Sequence, residues 1–370
     1  MNARYLIRTA PLVTAAGALA LSLFLAVPVR AEVYAGVEVG GKGVKATVVD
    51  VSGDGATAEI AVKLADTTNT GLATDVARDG RFGATALAET VKAVGTYTDR
   101  FRKEFAAAPG RIYVVGSSGL FAAILDKPEL IKENQTRLAD AVKERTGVAM
   151  TFIDARRESE LSIVGVVPKK DRAAALLIDV GGGNTKGGCE VGPGKFATFA
   201  VPFGTATFAE LANKAGAADA KAMKALCDDK VVPLLKAQLS GLPDLAKRDR
   251  VYLSGGVAWA AATFARPTDA KPFTTLTLKD VEAFEAKLGA DPAAFPEPDL
   301  SAADDEGRRR ALAEWARVKK VYTPEQLLAG AQVLRSAIRE AGEGKHFFFA
   351  RNGYLGWILA YVTESAVGGK

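Results

Sequence analysis

The stretch from Ile178 to Gly188, IDVGGGNTKGG, restricts the fold more than any other part of the chain. The apolar run from Ala173 to Ile178 reads as a buried strand. It stops at Asp179, and Gly181, Gly182 and Gly183 follow in succession. Three glycines there bury nothing and raise the entropic cost of ordering the backbone. Such a run suits a place where backbone turns tightly or approaches another group closely. With a carboxylate at the strand tip and Asn184, Thr185 and Lys186 just beyond, a phosphate group with its metal ion is one natural guest. A plain glycine-rich hairpin turn is the other reading of the segment.

The same device occurs earlier. From Val33 to Asp50, alternating apolar residues lead to Glu38, Gly40-Gly41-Lys42-Gly43 make a turn, and Val44 to Val49 return past Lys45. Two acid-and-glycine hairpins facing each other would clamp a phosphate chain. Three further segments could serve the same cleft. Arg111 to Val115 is a strand entering Gly116-Ser117-Ser118-Gly119, whose N–H groups suit either an anion or an ordinary helix cap. Met150 to Asp154 is a strand followed by a helix whose first turn carries Glu158, a dipole-compensating acid or a general base. Asp249 to Leu253 is a strand ending in Ser254-Gly255-Gly256, where paired glycines allow a flat or anionic ligand, or simply a tight strand-to-helix turn.

The chain has 370 residues, 48% hydrophobic and 25% charged, enough for two or three globular domains. Helical spacing covers 71–104, 130–145, 306–317 and 324–341, and a last strand and helix occupy 345–349 and 354–365. The N-terminus stands apart: Arg4 and Arg8 precede an uncharged span from Thr9 to Val29, and Val29-Arg30-Ala31 offers a cleavage site. Residues 1–31 therefore read as a secretory signal peptide or, uncleaved, as an inner-membrane anchor, with the body exported to the periplasm or beyond. Removing Arg4, Arg8 and Arg30 takes the formal charge from +5 to +2, so no nucleic-acid surface is expected. Cys189 and Cys227 are too few for a disulfide framework, and their pairing is open. His346 has no second histidine to share a metal and reads as structural.

In order and spacing, these segments resemble the exopolyphosphatase and guanosine pentaphosphate phosphatase family, a branch of the actin, hexokinase and heat-shock chaperone superfamily. The motifs are AGVEVGGKGVKA (35–46), VVGSSGLF (114–121), ESELSIVGVV (158–167), DVGGGNTK (179–186), VPFGTATF (201–208) and LSGGVA (253–258). The resemblance spans Val33 to Val362. It implies an α/β chain with two ribonuclease-H-like, actin-like ATPase domains around a central cleft, at 32–170 and 171–345. The segment 346–370 is expected to pack back on the first domain.

The family's phosphatase chemistry implies Glu158 as the base activating a water and Asp179 as a metal-holding catalytic residue, with Glu38 as a second ligand of Mg2+ or Mn2+. Gly40, Gly41, Lys42, Gly43, Lys45, Ser117, Ser118, Gly181, Gly182, Gly183, Asn184, Thr185, Lys186, Gly255 and Gly256 would contact phosphate. Partners would be polyphosphate or a phosphorylated nucleotide of the guanosine pentaphosphate type, no nucleic acid, a membrane only through an uncleaved leader, and a second copy of the chain if it forms a homodimer. Several positions depart from the family pattern. Glu38 stands for its Asp, Gly41-Lys42-Gly43 for Ser-Asn-Ser, Phe121 for an Arg and Arg157-Glu158 for paired acids. Lys186 stands for the acid that ends the second motif, and the Arg-Glu pair expected around 352–356 is missing. Two functions follow: an exported phosphohydrolase, or a catalytically inactive relative that binds an anion, a nucleotide or a protein partner in the cell envelope.

Overall fold

The computed structural model describes residues 32–52, 59–217, 219–291 and 293–368, and the leader read at 1–31 lies outside them. Alternating apolar residues place β1 (Glu32–Gly40) and β2 (Gly43–Ser52) in a hairpin, and β3 (Glu59–Asn69) adds to its outer edge. Two helices, α1 (Leu72–Asp79) and α2 (Ala84–Glu104), then cross to β4 (Ile112–Gly116), which pairs parallel to β1. A parallel return needs such a crossover. After short 3-10 turns, α3 (Pro128–Thr146) crosses to β5 (Met150–Phe152), giving the order β3-β2-β1-β4-β5. The periodicity over 71–104 is split between α1 and α2, because Gly80 takes a left-handed conformation at φ 74° and ends α1.

A second sheet repeats the arrangement. Strands β6 (Ala175–Val180), β7 (Thr185–Gly192) and β8 (Lys195–Val201) form an antiparallel meander. Helices α5 (Thr205–Lys214), α6 (Ala220–Lys230) and α7 (Val232–Ser240) cross to β9 (Arg250–Ser254), parallel to β6. Then come α8 (Gly256–Ala265), β10 (Phe273–Thr275), α9 (Leu278–Ala290), α10 (Asp305–Val321), α11 (Pro324–Ala341) and β11 (His346–Ala350). The sheet order is β10-β11-β9-β6-β7-β8, the first sheet's order with one edge strand added. Each sheet carries its own core: Val37, Val39 and Val44 against Val94, Tyr97 and Phe101 in the first, Leu176 and Ile178 against Leu327, Leu334 and Ile338 in the second. Helix α11 is buried nearly all round, as expected of a helix inside a large domain.

Helix α4 (Ala155–Val166) lies between the sheets. Its Leu161 packs with Tyr34, Val49 and Val115 of the first sheet, while Ile163 and Val166 pack with Leu177 and Tyr252 of the second. This puts Glu158, in the first turn of α4, at the meeting of the two halves. The C-terminal segment divides: α12 (Gly356–Gly368) sets Ile358 and Val362 against Gly36 of β1, whereas β11 pairs with β9 and β10 in the second sheet. The expected return of 346–370 to the first half is thereby corrected for the strand. Phe347 and Phe349 belong to the second core.

Candidate functional site

A cavity of about 550 Å³ opens where the two sheets' central hairpins face each other. Its walls include Gly40 to Gly43, Gly181 to Asn184, Ser117, Gly255 and Gly256, together with Glu38, Lys45, Glu158, Asp179 and Lys186. The two glycine turns are packed tip to tip. A Cβ on Gly183 would stand 1.8 Å from the Gly119 carbonyl oxygen of the other half, and one on Gly182 would meet the Lys42 side chain at 2.7 Å. These glycines serve close approach of one half to the other. Gly181 already gives its N–H to the Asn184 carbonyl at 3.0 Å, and the Gly181 and Gly182 carbonyls accept the N–H groups opening α5.

Each hairpin carries the same charged pair. Glu38 on β1 faces Lys45 on β2, and Asp179 on β6 faces Lys186 on β7. The contacts are 2.8 Å from Lys45 Nζ to Glu38 Oε1 and 2.9 Å from Lys186 Nζ to Asp179 Oδ2. Directly opposed residues on paired strands bring opposite charges into contact. In both hairpins the acid expected to hold a metal is neutralised from within its own sheet.

Lys186 is the hub. Its side chain is 4% exposed, and an ammonium has three N–H donors. Asp179 Oδ2 at 2.9 Å, Glu158 Oε1 at 3.0 Å and Asn184 Oδ1 at 3.2 Å surround it. Burial alone would lower the Lys186 pKa, but Asp179 and Glu158 together overcome this and hold it above the ordinary lysine range. Burial would likewise raise the Asp179 carboxyl, yet Lys186 and the Ser254 hydroxyl, which donates to Asp179 Oδ1 at 2.5 Å, keep it below its ordinary value. The expectation that Lys186 contacts phosphate is corrected: its three donors already have internal acceptors.

Ser118 meets an internal anion too. Its N–H and its hydroxyl both donate to Glu158 Oε2, at 2.8 and 2.6 Å, and its Oγ accepts from Asn184 Nδ2 at 2.8 Å. Of the N–H groups expected to receive phosphate at this turn, that of Ser118 therefore goes to the Glu158 carboxylate and that of Ser117 to the Val39 carbonyl. Thr185 is also corrected. On β7 it faces away from Lys186, is fully buried, and donates its hydroxyl to the Phe203 carbonyl at 2.7 Å. Phe121 packs between Phe82 and Phe152 in the first core. Cys189 and Cys227 are both free and buried.

The other two lysines expected at the site differ. Lys45 gives one donor to Glu38 and is a quarter exposed, so it keeps N–H groups for a ligand. Lys42 donates to Gln326 Oε1 and lies 4.6 Å from the centre of the Tyr322 ring, and burial pushes its ammonium down to about 8. Sequence reasoning missed Tyr322, which the end of α10 brings into the cleft, and Gln326 of α11, which holds Lys42. Tyr322 bears on the Gly255–Gly256 pair: a Cβ on Gly256 would stand 1.5 Å from its hydroxyl, so the tyrosine covers the turn where a flat ligand was expected.

A divalent metal does not fit these donors as they stand. A hard cation such as Mg2+ needs carboxylate or carbonyl oxygens free to approach to about 2.0–2.1 Å. Here Asp179 and Glu158 close on an ammonium and Glu38 on another. Among the described residues, no group of three or more His, Cys, Asp or Glu side chains is arranged to hold a metal ion. As placed, these side chains do not offer the expected Mg2+ or Mn2+ a ligand set.

No protein-family model matches the sequence, and no curated protein matches it. Solved structures match over nearly its whole length. A Ppx/GppA family member of Aquifex aeolicus matches with a TM-score of 0.59 at 17% identity, over 92% of this chain and 99% of that one. An exopolyphosphatase of Cytophaga hutchinsonii matches with a TM-score of 0.62 at 15% identity, over 91% and 98%. At such identities the likeness is one of fold. The chain has the α/β, two-lobed, actin-like architecture of the Ppx/GppA proteins.

Proposed function

We propose that this chain, built on the Ppx/GppA fold, is an exported protein that binds the end of a condensed phosphate in its cleft without metal-dependent hydrolysis. The observation that carries this reading is the Lys186 ammonium seated between Asp179 and Glu158 at 2.9 and 3.0 Å. Metal-assisted phosphoryl transfer needs those carboxylates for the cation and the water. Here both are held as counterions of a buried lysine. Lys45, with donors to spare, and Lys42, whose lowered pKa an anion would restore, are the groups that would meet phosphate oxygens. Tyr322 over Gly256 favours a chain of phosphates over a nucleotide, since it covers the surface a base would need. Export rests on the leader read at 1–31.

A second reading, phosphohydrolase activity of the exopolyphosphatase type, is favoured by Glu158 and Asp179 lining one cavity in this fold. One experiment separates the two. The mature chain is titrated calorimetrically with polyphosphate of defined length, with EDTA and with Mg2+ or Mn2+, and released phosphate is measured beside Glu158→Gln. The binding reading expects a saturable complex indifferent to EDTA and weakened about tenfold in Lys45→Ala, the loss of one charge-assisted contact. Phosphate release that disappears in Glu158→Gln would establish hydrolysis instead. No saturable complex under any condition would sink both readings.

A further inference from the structure

The geometry points to Lys186 as a tethered stand-in for a divalent cation, so that replacing it by an acid converts the cleft into a metal site. This deepens the reading of the cleft as metal-free and rests on it. Three observations carry the inference. The ammonium bridges carboxylates from opposite sides of the cleft, Asp179 on the second sheet and Glu158 on the helix between the sheets. Each carboxylate has its far oxygen fixed by a serine: Ser254 holds Asp179 Oδ1, and Ser118 holds Glu158 Oε2 from both its N–H and its hydroxyl. The near oxygens thus stay aimed at one point whether or not the ammonium is there, as groups behind metal ligands orient them. Finally, Glu38 Oε2 is a buried carboxylate oxygen with no partner, and Glu38 lines the same cavity and is close enough for Glu158 and Lys186 to influence its charge.

Charge gives the direction. Above about pH 7, where Glu38 is ionised, three carboxylates (Glu38, Glu158 and Asp179) face two ammonium groups (Lys45 and Lys186) while Lys186 is in place. Lys186→Glu removes one positive charge and adds a negative one, leaving four carboxylates against Lys45 alone. A buried cluster of that charge must recruit a cation or take up protons. Its donors are hard oxygens, with Asn184 Oδ1 also released by the loss of the ammonium, and such sets select Mg2+ or Mn2+. A hydrated ion keeping some of its waters needs less inward movement of the carboxylates than a bare one.

The test is a titration of the full chain with Mn2+, following the resonance signal of the free ion, which polyphosphate binding and turnover do not enter. Wild type is expected to show no site that depends on Asp179 up to millimolar metal. Lys186→Glu should show one site per chain, at least tenfold tighter than any wild-type binding and lost when Asp179→Asn is added. A wild-type site abolished by Asp179→Asn, or a folded Lys186→Glu with no site, overturns the inference. If Lys186→Glu folds only when Mn2+ is present, the inference is supported. If it does not fold at all, Lys186→Met decides: Mn2+ should raise its unfolding midpoint by several degrees and leave wild type unmoved, and no shift overturns the inference.

Discussion

Substituting Glu38 by glutamine removes a titrating carboxyl and changes little in shape. Glu38 is 2% exposed; its Oε1 accepts from Lys45 at 2.8 Å, and its Oε2 has no partner. Burial pushes its carboxyl up from 4.5 to about 7; Lys45 pulls it back, and the charge of Glu158 adds to the rise. The folded chain therefore holds a proton that the unfolded chain releases between pH 4.5 and 7. Stability attributable to Glu38 is present below the unfolded value and falls as pH rises through this window. At 1.36 kcal/mol per pH unit, the loss is roughly 3 kcal/mol. Urea unfolding of wild type and Glu38→Gln at fixed ionic strength, from pH 4.5 to 8, isolates it, because the other groups cancel in the difference. Wild type should lose about 3 kcal/mol relative to the variant across the window. Parallel curves would refute the reasoning. A relative gain for wild type as pH rises would show that the ion pair with Lys45 outweighs burial.

Lys186→Met leaves Asp179 and Glu158 buried without their cation and should cost about 3–5 kcal/mol in denaturant unfolding, whereas Lys247→Met at an exposed pair should leave the midpoint unchanged. Gly183→Ala drives a methyl into the Gly119 carbonyl of the other half and should cost about 2 kcal/mol or more, while Gly110→Ala, with nothing within 4 Å, should be silent on unfolding. Thr185→Val removes the bond to Phe203 and should lower stability by about 1–2 kcal/mol without changing polyphosphate affinity in the same calorimetric titration. Lys42, held down to about 8 by burial, loses its charge as pH rises through that value. Polyphosphate affinity should fall there, and Lys42→Met should flatten the dependence.

Where local chemistry and tertiary packing agree, the elements are legible. Thr323 caps α11 and Pro324 opens it, so its start is written in the chain. Apolar runs at 175–178 and 251–253 mark central strands buried on both faces. Strand β3 could not be read that way. Its exposed edge, with Lys63, Asp66, Thr67 and Asn69, carries no inward-facing alternation, and pairing with β2 is what makes it a strand. The division of the C-terminus was equally hidden, because whether β11 joins the first or second sheet depends on partners far away in sequence.

The site separates into what spacing encodes and what only packing creates. Each acid has its lysine seven residues later, 38 to 45 and 179 to 186, across a glycine turn. Yet the turns differ: Gly40 pairs with Gly43 in the first hairpin, and Val180 with Thr185 in the second. Equal spacing gives opposed pairs because the longer second turn is matched by an acid one residue nearer to it. Without the register, lysines past the glycines look like phosphate ligands. Glu158 is a harder case. It reaches Lys186 only because α4 wedges between the sheets, with Leu161 anchored to one and Ile163 to the other. The same carboxylate also takes both donors of Ser118, which local sequence offers equally to a ligand or a helix cap. Motif order therefore carries the fold across substitutions that reverse the charge logic of its centre. Here a buried lysine and a partly exposed one neutralise the carboxylates from within, and the donors that Lys45 and Lys42 turn toward the cleft suit an anion better than a metal.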